Sequence, residues 1–408
     1  MWMSATSATG NLFSQRVVVI SRLIFVGYLV LALALHVIAA RQAADGMAPM
    51  VTDFNTFYAA SMTLSRGDAA QVYDRTAMRA AERAAMAEAY PSLVPGQLAD
   101  IPEFRWFYPP VMLPLVAPLS RLPYWLAYGL WDVLGLALML AAVWRILPGM
   151  AALTVALALP ATFINGMFGQ TGFLVAGLTG LGLAALERRP LLAGGLLAML
   201  LVKPHFALLL PLALLAGGHW LALAATAFGA LGLAAASLAI YGWAPWMAFL
   251  AQRGDAGAVL EAGGVPWVLM PTPWPALRLL GFDAAMATGG QALCSLLAAA
   301  AVLWCWRRPN SLGIKASALC LAAFLVLPFA HAYDLALLSL PLFWLAAEGK
   351  RSRSLLLAGG LVAMLPLLGP GMAKLGLPIA PVVIAWLLIL VLSQGTSPSL
   401  ARSSGRPL

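Results

Sequence analysis

Residues 190–217 read PLLAGGLLAMLLVKPHFALLLPLALLAG, an apolar run whose single charged residue, Lys203, is followed by Pro204 and His205. A spanning helix needs about 20 apolar residues, and this run exceeds that, so it reads as membrane-embedded. Proline breaks a helix and frees backbone groups, so Lys203-Pro204-His205 divides the run in two. Each half of about 13 residues reaches only about 20 Å, short of the roughly 30 Å hydrocarbon layer. Lys203 is therefore expected below the membrane surface in a protein-lined cavity. A buried ammonium there wants an anion, and a phosphate is a natural one; snorkelling to the headgroups is the alternative.

The rest of the chain agrees with a polytopic membrane protein. Of 408 residues 62% are hydrophobic and 10% charged, against about 25% charged in soluble domains. Mean hydropathy is +0.89. A soluble enzyme, a disordered chain and a disulfide-stapled secreted domain are excluded on these grounds. The net charge of +9 comes from short clusters between apolar runs: Arg188-Arg189, Arg307-Arg308 with Lys315, and Lys350-Arg351 with Arg353. That is the positive-inside pattern, not a nucleic-acid footprint. The three cysteines lie in apolar runs and read as small core residues.

The fold class expected is an all-α integral membrane protein with 11–13 membrane helices. Candidate spans are 17–40, 124–146, 170–187, 219–241, 286–306, 313–330, 332–348, 354–369 and 378–394. The first is too long for a signal-peptide core and should remain as a helix. The domain reading is a cytoplasmic N-terminus 1–16, one membrane domain 17–394, and a disordered cytoplasmic tail 395–408. Two segments look soluble. Residues 41–107 hold just over half of the acids and two stretches, 54–66 and 75–89, expected as amphipathic helices lying on the membrane. Residues 242–285 are rich in Pro, Gly and Trp, as suits an interfacial loop. Counting crossings puts both segments outside, with one conflict: 108–120 and 150–165 cannot both span.

Ionisable groups inside a membrane are functional candidates by default. Here they are Asp132, Lys203, His205, His331 and Asp334, with Asp53 just after the first helix. Asp53 reads either as a general base, with Tyr58 on the same helical face, or as the N-cap of the helix beginning at Phe54. Tyr108 opens a Pro-rich segment; Asn165 and Gln170 flank a Gly-containing turn and could bind sugar hydroxyls or a phosphate. His331 and Tyr333 could face the same cavity as Lys203, and Asp334 could cap the helix that follows. Asp132 could pair with an arginine or cap a polar bundle, and its role stays open. There is no P-loop, HExxH or GxSxG, so nucleotide-dependent chemistry and membrane metalloprotease chemistry have no support. No metal-ligand spacing and no cofactor is read.

An ordered set of short motifs follows the same residues. Asp53-Phe54-x-x-Phe57-Tyr58-x-Ala60 leads to Gly67 and Tyr73-Asp74. Tyr108-Pro109-Pro110 leads to Ala117-Pro118-Leu119, then Gly169-Gln170, Ala193-Gly194, Lys203-Pro204 and Tyr333-Asp334. The set resembles glycosyltransferase family 87, with Thr171 where the family commonly has Asn. The resemblance implies a C-type membrane glycosyltransferase. It implies an inverting reaction at the outer face of a bacterial-type cell membrane, with a polyprenyl-phosphate sugar, usually mannose, as donor. It maps the catalytic acid onto Asp53. Lys203, His331, Tyr333, Tyr108, Asn165 and Gln170 are then expected around the donor, with Tyr58, His205 and Asp334 in support. The partners implied are membrane lipids, the donor and a lipid or glycan acceptor, with no cofactor. A flippase or transporter of lipid-linked sugar and an O-antigen polymerase or ligase are the competing readings. The first would favour paired broken helices, which are not seen; the second would favour an Arg- and His-rich outer loop, whereas 242–285 has only Arg253, Arg278 and no His.

Overall fold

The computed structural model describes residues 13–395, apart from the side chains at 253, 255 and 256. The tail and most of the N-terminal segment read from the sequence lie outside the described residues. Among these residues the chain is all helical, with no strand.

Helix α1 (Gln15–Ala44) is capped by Ser14 and is exposed along almost its whole apolar length. An arm follows, made of α2 (Phe54–Leu64), α3 (Arg75–Ala89) and α4 (Pro95–Asp100). Helix α3 is amphipathic as expected, burying Met78, Ala81, Glu82, Ala85, Met86 and Ala89 on one stripe. Helix α2 departs from expectation. It is buried on nearly every side, Phe54 to Ser61 without exception, because α3 covers one flank and residues 113–121 the other. It is a core helix of the arm, not a surface one.

The 108–120 segment does not span. Prolines confine it to 3-10 turns at Pro110–Met112 and Leu119–Arg121, with α5 (Leu113–Val116) between them. Helix α6 (Tyr124–Ile146) is long and apolar enough to cross. After it, α7 (Met150–Ala158) and α8 (Pro160–Phe168) form a single apolar pair bent by 60° at Leu159, because Pro160 cannot donate into the preceding turn. Helix α6 and the bent pair lie between Asp53 and Gln170 in the chain, and those two residues touch.

Helix α9 (Gly172–Ala185) runs through the interior. The 190–217 run is broken where expected, into α10 (Pro190–Ala198), two 3-10 turns meeting at Lys203, and α11 (Leu210–Ala216). Helix α12 (Trp220–Tyr241) faces outward. The 242–285 segment is structured, with α13 (Ala244–Ala251), α14 (Arg253–Glu261) and α15 (Pro273–Leu279). Its tryptophans divide: Trp243 is exposed and Trp274 buried.

Helices α16 (Ala284–Arg307) and α17 (Leu312–Val326) pack together, and α17 is the centre of the largest apolar cluster. The expected helix 332–348 starts as a 3-10 turn, Ala332–Leu338, and continues as α18 (Ser339–Ala347). Residues 330–341 are buried throughout, so this run lies within protein rather than against lipid. Helices α19 (Arg353–Lys374) and α20 (Ala380–Gln394) close the bundle. Among the described residues five helices, α1, α6, α12, α16 and α19, can each cross a bilayer by length and composition, six if the bent pair is one span; the other apolar helices are shorter.

Candidate active site

Asp53 stands immediately before α2. Its backbone is helical (φ −61°, ψ −21°) and its side chain makes no cap bond, so the N-cap reading fails. An N-cap needs extended backbone to turn its oxygen onto the helix. The carboxylate instead reaches the α8–α9 turn, where Oδ2 accepts from Gln170 Nε2 at 3.0 Å. Asp53 is only half-buried, and Gln170 is the carboxylate's only protein donor among the described residues.

Gln170 is held from its other end. Its Oε1 accepts from the Tyr108 hydroxyl at 2.8 Å and the Thr171 amide at 3.1 Å. Two donors on that oxygen decide the orientation of the amide, so its NH2 faces Asp53. Asn165 donates from Nδ2 to the Gln170 carbonyl at 3.1 Å and is fully buried, with Oδ1 unpartnered. Gly169 makes this turn possible. It ends α8 with φ +63°, and a Cβ there would run into the Tyr128 ring and Phe54. Only a glycine lets the end of α8 close against the residue beside Asp53.

Lys203 sits between the 3-10 turns Met199–Val202 and Pro204–Ala207. Its Nζ lies 2.5 Å from Asp334 Oδ1, with the two side chains 4% and 1% exposed. The anion expected for this ammonium is thus already present as a carboxylate. Asp334 Oδ2 accepts from the His331 backbone N–H at 2.9 Å, so Asp334 ties back to the start of its own 3-10 turn. The ammonium also lies 5.0 Å from the Tyr333 ring centroid and 5.4 Å from that of Phe206, within cation–π range. His331 stacks on Tyr333 with centroids 4.8 Å apart, and Phe168 packs on both rings. His331 Nδ1 is buried without a partner.

The two groups share one electrostatic environment. Desolvation pushes the Asp53 carboxyl up to about 6; the Gln170 hydrogen bond and the Lys203 charge oppose that shift, and the Asp334 charge adds to it. A carboxylate with its pKa near 6 therefore feels the charge of a buried cation. Such a pair can take a proton from one oxygen and stabilise negative charge on another.

Residues 106–328, more than half of the chain, match the model of glycosyltransferase family 87. The chain belongs to glycosyltransferase family 87. No match is found among curated proteins or solved structures. The all-helical membrane architecture of this family 87 glycosyltransferase agrees with the C-type fold. The matched span includes Tyr108, Asn165, Gln170 and Lys203; Asp53 and the His331–Asp334 turn lie outside it and are brought to it by folding.

Other expected residues of this glycosyltransferase are placed differently. Tyr58 is turned away from Asp53 and donates to Glu88 at 2.6 Å and to the Leu122 carbonyl at 2.8 Å; five residues along a helix is not the same face. His205 lies against Phe206 and Phe329, with Nε2 unpartnered. Among the described residues Asp132 has no arginine partner; its Oδ1 is buried and unpartnered. Three residues were not anticipated as site components: Thr171 through its amide, Phe168 through its ring, and Glu82 in the arm. Glu82 falls at a buried position of the α3 stripe, between Met78 and Met86, and an acid on an apolar stripe was the legible signal.

Proposed function

We propose that this glycosyltransferase moves a hexose, mannose as the first choice, from a polyprenyl-phosphate donor to a lipid or glycan acceptor. The reading places the reaction at the outer face of a bacterial-type cell membrane. What carries it is the contact between Asp53 and Gln170: a half-buried carboxylate from before α2 is held on the family-matched turn and feels the charge of the buried Lys203.

In the proposed step the acceptor hydroxyl oxygen attacks the anomeric carbon of the donor sugar. The carbon–oxygen bond to phosphate breaks, its electron pair staying on the phosphate, and the configuration inverts. Asp53 takes the hydroxyl proton as the attack proceeds. Lys203 stabilises the departing polyprenyl phosphate where charge develops. At rest Lys203 is neutralised by Asp334, so the phosphate must share or displace that carboxylate. His331 and Tyr333 line the cation's side of the site, while Tyr108, Asn165 and Gln170 orient donor and base. His205 and Asp334 support, and Tyr58 holds the arm.

The test is transfer in nanodiscs from radiolabelled mannosyl-phosphoryl-polyprenol into a host lipid extract. Wild type should yield a new labelled product and Asp53→Asn should not. An Asp53→Asn variant working at wild-type rate removes the base assignment. Labelled lipid that crosses the bilayer with no product formed would contradict the transfer reading.

A further inference from the structure

Asp53 and Tyr108 are the two ends of the hydrogen-bonded row Asp53–Gln170–Tyr108. They enter the site on different strands of the arm, one just before α2 and one at the end of the 101–107 segment. Both strands are fastened to the same side chain. Glu82, fully buried on α3, accepts at Oε1 from the Thr56 hydroxyl at 3.3 Å and from the Phe104 amide at 3.1 Å. Thr56 is three residues after Asp53, and Phe104 four before Tyr108. The Glu82 carbonyl accepts from Asn55 Nδ2 at 3.3 Å, a second tie to the stretch that carries Asp53.

We propose that Glu82 is a positioning residue for the Asp53 base, one side chain that sets the spacing of the two arm strands carrying Asp53 and Tyr108. The inference rests on Asp53 being the base. It concerns a residue outside the family-matched span and one that touches neither Asp53 nor Gln170.

The surroundings favour the neutral acid. Arg79 is the nearest cation, with Nη1 3.9 Å from Glu82 Oε2, but its guanidinium is engaged with the carbonyls of Pro102 and Ala99. Glu103 is the nearby anion and is held by Arg75 at 2.6 Å. No charged residue of α2 itself faces Glu82. Desolvation pushes the Glu82 carboxyl up to about 8, against the lowering effects of the Phe104 amide, Thr56 and Arg79. A neutral Glu82 offers the same acceptor at Oε1 that a glutamine would, and that similarity makes the test sharp.

Transfer kinetics and the pH–rate profile are measured in nanodiscs with mannosyl-phosphoryl-polyprenol and lipid extract for wild type, Glu82→Gln, Glu82→Ala, Thr56→Val and Asp53→Asn. Glu82→Gln should stay within threefold of wild type. Glu82→Ala should lose tenfold or more in kcat with little change in donor KM, and should displace the acid limb of the profile. Thr56→Val should displace that limb less and in the same direction. A folded Glu82→Ala with wild-type rate and profile overturns the inference. If Glu82→Ala does not fold, an unshifted profile in Thr56→Val overturns it. An inactive Asp53→Asn beside either result leaves the base assignment standing, whereas an active one removes the reading on which this inference rests.

Discussion

Lys203 Nζ and Asp334 Oδ1 lie 2.5 Å apart in the interior of the bundle, although 131 residues separate them in the chain. One comes from a proline-broken membrane run and the other from a 3-10 turn after α17. Burying either charge alone would be costly, and the pair lets both be present. A buried cation is thereby held in place by a carboxylate from a distant segment.

The pair separates stability from activity. Lys203→Met or Asp334→Asn alone leaves one uncompensated buried charge and should cost about 3–5 kcal/mol. The double variant Lys203→Met/Asp334→Leu should regain much of that loss while transfer stays absent. Thermal unfolding in detergent, read beside label transfer, checks both halves.

Asp53 should impose an acid limb on the rate. Its carboxyl is held at about 6 in the fold, so activity should rise between pH 5 and 7 as the base loses its proton. The sign for stability is opposite. A raised folded pKa means stability is complete below the unfolded value and is lost as pH climbs from about 4 to 6. Asp53→Asn should therefore be inactive yet more stable at pH 7, by about 1–3 kcal/mol. Unfolding of both proteins at pH 4 and pH 7 tests this.

Tyr108→Phe removes one donor from Gln170 Oε1 and should reduce transfer by about three- to tenfold, the worth of one hydrogen bond. Gln170→Ala removes the donor that lowers the Asp53 pKa, so its acid limb should move to higher pH. A limb that moves down, or stays, contradicts the role given to Gln170.

Gly169→Ala combines a left-handed backbone position with a Cβ that meets Tyr128 and Phe54. Destabilisation of about 1–3 kcal/mol is expected. Gly67→Ala carries the left-handed penalty without the collision, since nothing lies near its would-be Cβ, and should cost less. The difference between the two isolates the packing part.

Glu82 gives the arm a pH dependence of its own. With its carboxyl near 8 in the fold against 4.5 for the free side chain, stability should be full below about 4.5 and fall as pH rises to about 8. The slope should approach about 1.4 kcal/mol per pH unit within that window. Glu82→Gln should flatten it, as followed by hydrogen exchange in residues 54–107.

Much of the site was legible residue by residue. Lys203, Asp334, Gln170, Asn165, Tyr108, His331 and Tyr333 were marked because polar groups in an apolar chain are few and expensive. Their partnerships were not legible. Nothing local distinguishes Asp53 as a cap from Asp53 as a partner of Gln170, because the choice depends on a backbone turn and on a segment 117 residues away. Tyr58 was misjudged because a spacing of five residues does not share a helical face. Helix α2 was misjudged because a short apolar helix looks the same whether water, lipid or protein covers it.

Composition and the spacing of apolar runs, prolines and basic clusters determined that this chain is a helical membrane protein, broken at Lys203. Those are local properties: hydrophobic length, a missing amide hydrogen and the cost of charge in lipid act on each segment by itself. Tertiary structure alone decided that α2 is buried, that Asp334 answers Lys203, and that Asp53 meets Gln170. Each of these requires two distant segments to fill one volume, and close packing at Gly169 selects the pairing that a one-dimensional pattern leaves open.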